Sequence, residues 1–407
     1  MLLKDIIDNW KKPLNFKPER IIDQPTLEKI IEAARWAPSA ENQQVWKFLI
    51  ITDADKNKII EKSVRDQDPR LSSNSHSIEK PILKSKFTFS IENYNAKTDK
   101  YRNEIAKFHN EELDCINTSS FIIICTHSKK YLGITFGLTD IGASIENMLL
   151  ICEEFGLKLR WIRNFNRELI RERFDIPKFY SIDALLAIGD SKETHSTPEY
   201  QLKNTQDFFG YNDFNEDFSD LNTFSDNINI PTYMVRAKDA ILDRRSIRDF
   251  KENKKISKEI IYSLLKASMM VPLTINEPYL RFIIIDDHQL LRAHSMGIGS
   301  CWIGAFSRNS VRKILNIPDD WHIPTIAIFG YPHNYPRPTP RKEIDRIAYL
   351  NQWDRNFTSK KHSFFPNSHF LSIGIRKLKD THIKSVLRKR KVGIIKNIPE
   401  FQNLDKN

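Results

Sequence analysis

The chain has 407 residues, 40% of them hydrophobic and 28% charged, which is enough for two domains with their own cores at about 150 residues per domain. Seven Trp, 12 Tyr and 25 Phe exclude disorder throughout, and only 12 Gly exclude collagen-like or low-complexity character. The net charge of +11 is concentrated at one end: from Phe357 onward 12 Lys and Arg stand against 3 acidic residues, so the body carries only +2 and gives no nucleic-acid signal.

The opening, MLLKDIIDNWKKP, has early acids and no apolar run of seven, so no secretory signal is expected. Apolar residues at helical spacing predict a helix from Thr26 to Trp36, ended near Pro38, and Phe48 to Ile51 reads as a buried strand. Further on, Phe121 to Cys125 and Leu185 to Gly189 read as strands. A long helix is expected from Ile141 to Phe155, with Met148, Leu149 and Ile151 as core candidates. The apolar stretches are strand-sized, far below the roughly 20 residues of a membrane span. Asp190 to Lys238, rich in Asn, Asp, Ser, Thr and Phe, reads as a connecting segment on the surface. Cys115, Cys125, Cys152 and Cys301 form no C-x-x-C pair, so neither a disulfide framework nor a zinc site is expected, and a reducing, cytoplasmic setting fits. The basic end, with Arg376, Lys377, Lys379, Lys384 and the run Arg388 to Lys391, reads as a solvated extension. Contact with an anionic membrane or polyanion is the alternative.

The most informative feature is internal similarity. Trp10 to Asp53 aligns without a gap to Arg244 to Asp287, an offset of 234 that matches Phe16 with Phe250, Pro38 with Pro272, Asn42 with Asn276 and Phe48 with Phe282. GLKLRWIRNF from Gly156 aligns to GIGSCWIGAF from Gly297, an offset of 141, and each is followed by a helix, an Ile-Pro and an apolar strand ending at Gly189 or Gly330. The change of offset implies a complete α+β copy followed by one that lacks 93 residues and keeps only a stub of the long helix around Leu290 to Met296. The expected organisation is a complete copy over 1–190, a connector over 191–238, a truncated copy over 239–356 and a basic extension over 357–407.

The segment RRSIRDF from Arg244, the turn APSAENQQVW from Ala37 and the loop WIGAF from Trp302 together resemble the FMN-dependent nitroreductase-like superfamily. The resemblance implies an α+β nitroreductase-like fold and, because such proteins are usually homodimers with FMN between subunits, an intrachain pseudo-dimer of two fused copies. It places one FMN among Arg244, Arg245, Ser246, Arg248, Ile303, Gly304 and Arg341 of the second copy and Pro38, Ser39, Ala40, Asn42 and Asp140 of the first, with Asp140 near the start of the long helix. Guanidiniums are apt for a phosphate because each offers a planar fork of donors. The mirror site departs at each point: Lys12 replaces the serine, Leu14 the third arginine, Arg163 the glycine and Leu273 the turn serine. One FMN per chain is therefore expected, with no metal, since His294 and His333 have no spaced partners.

The expected activity is an FMN-dependent oxidoreductase using NAD(P)H to reduce a small nitroaromatic or quinone-like acceptor, the protein binding and orienting the flavin without a nucleophile of its own. One alternative is a flavin-sequestering protein in which Phe208, Phe209, Tyr211, Phe214 and Phe218 of the connector lid the flavin; another is an FMN-dependent dehydrogenase of a large biosynthetic substrate docked by the basic end. Trp46 and Trp302 are expected in the core.

Overall fold

The computed structural model describes residues 2–10, 13–66, 109–127, 131–194, 209–211, 214, 235–251, 254, 256–269, 282–284 and 297–358. The remainder of the expected connector, the helix stub at 290–296 and the basic extension lie outside the described residues.

The first elements are α1 (Leu3–Asn9), β1 (Pro13–Lys17), α2 (Gln24–Arg35), β2 (Trp46–Ile51) and α3 (Ala54–Arg65). Helix α2 starts two residues before the apolar pattern does, because the Asp23 carboxylate accepts from Thr26 N–H at 2.7 Å and Pro25 pre-sets the first turn. Its Leu27, Ile30, Ile31 and Ala34 face the core. Next come β3 (Ser120–His127), the long α4 (Tyr131–Glu154), β4 (Lys158–Ile162), α5 (Arg167–Arg173) and β5 (Tyr180–Thr194). The long helix begins ten residues earlier than its apolar pattern, so Asp140 sits in its interior and not near its start. Likewise β5 overruns both ends of its apolar run, and its last residues pair with β1, so Asp190 belongs to a strand and not to a connector.

Five strands run in the order β1, β5, β3, β2, β10, where β10 is Ala348–Leu350, and β4 shares the free edge of β5 with β1. Alternate residues build two cores. Phe48, Ile50, Ile122, Ile124, Leu186 and Ile188 pack with α1, α2 and α4 on one face, whereas Leu49, Ile51, Phe121, Ile123 and Leu185 pack with α3 and α5 on the other. Both faces of β3 are therefore covered, which is why its sequence is a continuous apolar run. Met148, Leu149 and Ile151 are buried as expected, as is Trp46; Trp302 is half-buried.

The later elements are β6 (Phe209–Tyr211), α6 (Ala237–Asp243), α7 (Lys258–Met269), β7 (Phe282–Ile284), β8 (Gly299–Ile303), α8 (Arg308–Ile314) and β9 (Ile326–Gly330). The sequence offsets recur in their hydrogen bonding. β4 pairs with β5 from Lys158↔Gly189 to Ile162↔Leu185, and β8 pairs with β9 from Gly299↔Gly330 to Ile303↔Ile326, each position 141 further on. Arg167 Nε donates to the Ile182 carbonyl and Arg308 Nε to that of Ile323, both at 3.0 Å. Asp175 and Asn316 both adopt positive φ. Phe16 pairs with Ser191, and Phe250 with Pro332. A Cβ on Gly189 would come within 3.0 Å of Phe16, and one on Gly330 within 2.7 Å of Phe250, so a ring crosses close over a bare backbone in both places.

Two pairings tie the parts of the chain together. Leu2 bridges antiparallel to Arg236, which stands 234 positions after it, and Leu3 N–H donates to the Val235 carbonyl. The strand after β5, β6, adds in parallel to β7, and the strand after β9, β10, adds in parallel to β2, so each part lends a terminal strand to the other. Phe209 and Tyr211 are thus ladder residues. Phe214 packs on Trp321 at 5.1 Å and bonds through its N–H to the Leu315 carbonyl; Phe208 and Phe218 lie outside the described residues.

Candidate active site

The site is built around the turn that follows α2. Ala40 N–H donates to the Asp140 carboxylate at 3.2 and 3.3 Å, Gln44 N–H to Ser39 Oγ at 3.0 Å, and Asn42 N–H to the Ser39 carbonyl at 2.9 Å. Glu41, Asn42 and Gln44 are all held at positive φ, a costly run that side-chain anchors sustain. Asp140 is therefore a positioning residue. Its carboxylate is taken by the turn, and burial, opposed by the Ala40 bond, raises its pKa to about 7.

Arg341 reaches this turn from 300 residues away. Its Nη1 donates to Asn42 Oδ1 at 2.8 Å, its Nη2 to the Trp36 carbonyl at 3.3 Å, and its guanidinium lies 5.1 Å from the Trp36 ring. Arg245 meets the same indole at 5.8 Å. Arg244 is buried beside it. Burial, and then the neighbouring Arg245, lowers the Arg244 pKa to about 10. Burial, followed by Arg244, Arg35 and Arg245, lowers that of Arg341 to about 9. Glu32 and Asp243 offset this cluster only in part, and Glu32 is already bonded to Arg35 and to the Trp36 indole N–H. Arg341 Nε is buried with no acceptor among the described residues.

Two guanidiniums, those of Arg245 and Arg341, meet on the Trp36 ring, with Arg244 and Arg35 close enough to raise the local positive charge and the Arg341 Nε donor left without an acceptor among the described residues. The cluster fits a phosphate in charge and in donor chemistry.

Other expected site residues are placed differently. Ser246 bridges to Ser300 of β8, the exposed Arg248 bonds the Ser246 carbonyl at 3.3 Å, and the Cys301 thiol lies in the field of Arg248 and Arg244. Ile303 and Gly304 end β8, two and three residues beyond that thiol. Among the described residues they make no bond to the Pro38–Asn42 turn, and Gly304 N–H has no acceptor. Trp36, Arg35 and Glu32 went unnoticed in the sequence, although Glu32, Arg35 and Trp36 at i, i+3 and i+4 mark one helix face.

The equivalent loop after β4 is occupied by the protein itself. The fully buried Glu112 carboxylate accepts from Arg163 N–H at 2.8 Å and Asn164 N–H at 3.4 Å, and Asn164 Nδ2 meets His109 Nδ1 at 3.1 Å. Arg163 is the counterpart of Gly304. The amides that stay open after β8 are closed here by an internal anion.

Asp140→Asn gives a pH test of the turn. A carboxyl whose folded pKa lies near 7, above the ordinary 3.8, contributes stability that is full at acidic pH and is lost as pH rises from about 4 through 7. Asparagine keeps an oxygen for Ala40 N–H without the buried charge. The variant should match the parent at pH 4 and exceed it at pH 8 by roughly 2 kcal/mol in urea titrations.

Among the described residues no group of His, Cys, Asp and Glu could hold a metal ion, and no helix is long and apolar enough to cross a membrane. The Nitroreductase family model matches residues 15–190 and 288–331, more than half of the chain. A relative from Archaeoglobus fulgidus, named "Putative NADH dehydrogenase/NAD(P)H nitroreductase", is 25% identical over 189 residues, which are 45% of this chain and 82% of the relative. Among solved structures, a nitroreductase family protein from Clostridium novyi NT is 19% identical over 54% of this chain and 98% of its own, with a TM-score of 0.33. An FMN- and NADPH-dependent nitroreductase from sphigopyxis sp. strain HMH is 16% identical over 47% and 89%, with a TM-score of 0.35. By the family match, over residues that run from within β1 to within β5 and take in the turn at Pro38–Asn42 and the β8–β9 pair, the chain belongs to the nitroreductase family.

Proposed function

We propose that the chain is two fused nitroreductase-like copies, the second truncated, forming an intrachain pseudo-dimer that binds one FMN and uses NAD(P)H to reduce a small nitroaromatic or quinone-like acceptor. The observation that carries the site is the cluster of the buried Arg244 with the half-buried Arg245 and Arg341 and its orphaned Nε. The repeat of β4–β5 in β8–β9 and the exchange of β6 and β10 support the pseudo-dimer. The Glu112 carboxylate under the mirror loop supports a single site.

When bound, FMN supplies the hydride-transfer chemistry, so the protein needs no nucleophile. Arg244, Arg245 and Arg341 hold the phosphate, the second of these stacked with the third on Trp36. Asp140 and Ser39 fix the turn that presents Asn42, and Arg341 links that turn to the phosphate cluster. Ile303 and Gly304 contribute backbone N–H groups where negative charge develops. Ser246, bridged to Ser300 of β8, and the exposed Arg248 would add polar contacts from the segment beside Arg244 and Arg245.

The test is to reconstitute the full chain with FMN, desalt it, count released flavin and add NADH or NADPH without oxygen. About one flavin per chain that loses its yellow colour is expected. A chain that retains no flavin overturns the reading, and one whose flavin stays yellow with both nucleotides removes the NAD(P)H-dependent activity.

A further inference from the structure

A second basic site lies beside the first. A cavity of about 260 Å³ is lined by Gln44, Lys47, His127, Tyr180, Lys342 and Arg346 among others, and no acidic side chain lines it. Its lysines are held in place: Lys342 Nζ donates to the Gln43 and Gln44 carbonyls at 2.6 and 2.7 Å, and Lys47 Nζ to the Arg346 carbonyl and to Tyr349 Oη. Lys342 N–H is fixed in turn by Gln44 Oε1 at 2.8 Å. The Arg346 guanidinium is exposed and has no partner among the described residues. On the other wall stand His127 and Tyr180, whose rings meet edge to face at 5.0 Å, with Phe179 tilted against both from outside the cavity.

We infer that this cavity binds a phosphomonoester carried on a ring. Three cationic side chains around one space suit a dianion better than a single carboxylate, and the His127 and Tyr180 rings on the lining offer an aromatic edge and face to the attached ring. The volume lies below the roughly 300–1,000 Å³ of pockets for drug-sized ligands, so it takes a phosphorylated fragment and not a whole dinucleotide. Its position links it to the flavin reading: Arg341 serves the phosphate cluster, and the next residue, Lys342, serves the cavity. The 2′-phosphate end of NADPH is one source of such a group, and a free or acceptor-borne phosphate is the other. The assignment of NADPH rests on the proposed function; the assignment of the phosphate does not.

The test is calorimetry on the FMN-treated full chain with adenosine 2′-monophosphate, adenosine and inorganic phosphate, alongside Arg346→Gln. Adenosine 2′-monophosphate should bind, adenosine should not, and Arg346→Gln should weaken binding about tenfold with flavin content unchanged. A fall in the NADPH-to-NADH preference of the same variant identifies NADPH as the source. An unchanged preference with inorganic phosphate binding equally well identifies phosphate from elsewhere. Binding of neither phosphate, or binding that Arg346→Gln leaves intact, overturns the proposal. If the chain retains no FMN, the function reading fails separately, and the cavity is still judged by whether Arg346→Gln, and not Arg245→Ala, weakens phosphate binding.

Discussion

Replacing Arg244 by Met is expected to move two quantities in opposite directions. The flavin-free protein should become more stable, because a guanidinium whose pKa burial and the neighbouring Arg245 push down to about 10 carries a cost in the fold. That cost is fully present at neutral pH and is lost only as pH rises past about 10. Methionine fills similar space without the charge, so a gain of roughly 1–2 kcal/mol in thermal or urea unfolding follows. Flavin affinity should fall by at least tenfold, since a charge-assisted bond to phosphate is worth about 1.5–3 kcal/mol. Arg245→Ala should also weaken FMN strongly in a fluorescence titration, whereas Lys12→Ala, in the mirror segment at the position equivalent to Ser246, should change almost nothing. A loss of both stability and affinity in Arg244→Met would make that arginine a structural element, and equal effects of Arg245→Ala and Lys12→Ala would sink the single-site reading.

Glu112→Ala is expected to destabilise the fold by roughly 2–4 kcal/mol without altering the flavin count. The carboxylate is fully buried and satisfies two loop amides, and removing it leaves those donors unpaired in a dry interior beside His109. Glu112→Gln keeps one acceptor oxygen and should cost less. Urea titration gives the stability, and released flavin per chain gives the count. A rise to two flavins in Glu112→Ala would mean that the internal anion had been masking a working second site.

The strands were legible in the sequence wherever burial on both faces makes an unbroken apolar run, as at Ile122 to Ile124, and helix α2 was legible in its spacing of Leu27, Ile30, Ile31 and Ala34. What escaped was structure decided by pairing. The polar ends of β5 are strand because β1 and β3 lie beside them, and β10 is only three residues next to β2. The first third of α4, with Gly133 and Gly137 in it, has weak helix propensity, so its sequence does not announce a helix. For the site, the motifs that resemble the nitroreductase-like superfamily pointed to Arg244, Arg245, Asn42 and Arg341, which lie together around the turn. Asp140 was legible as a site residue but not as the anchor of Ala40, and Trp36, the ring on which two arginines meet, read only as a helix end.

The placement of β10 against β2 sets an order of events for a nascent chain. Phe48 N–H takes its acceptor from Ile347, and Ala348 to Leu350 complete the edge beside Phe48 to Ile50. At a ribosomal rate of about 5–20 residues per second, roughly 300 positions of further synthesis leave that apolar edge open for about 15–60 s. During that time the N-terminal sheet offers an unpaired ladder to any other chain, a hazard that covered edges avoid. The chain closes this edge only by a contact of very long sequence separation, so the pairing of β10 with β2 follows the rest of the N-terminal sheet and sets a slow step in its folding.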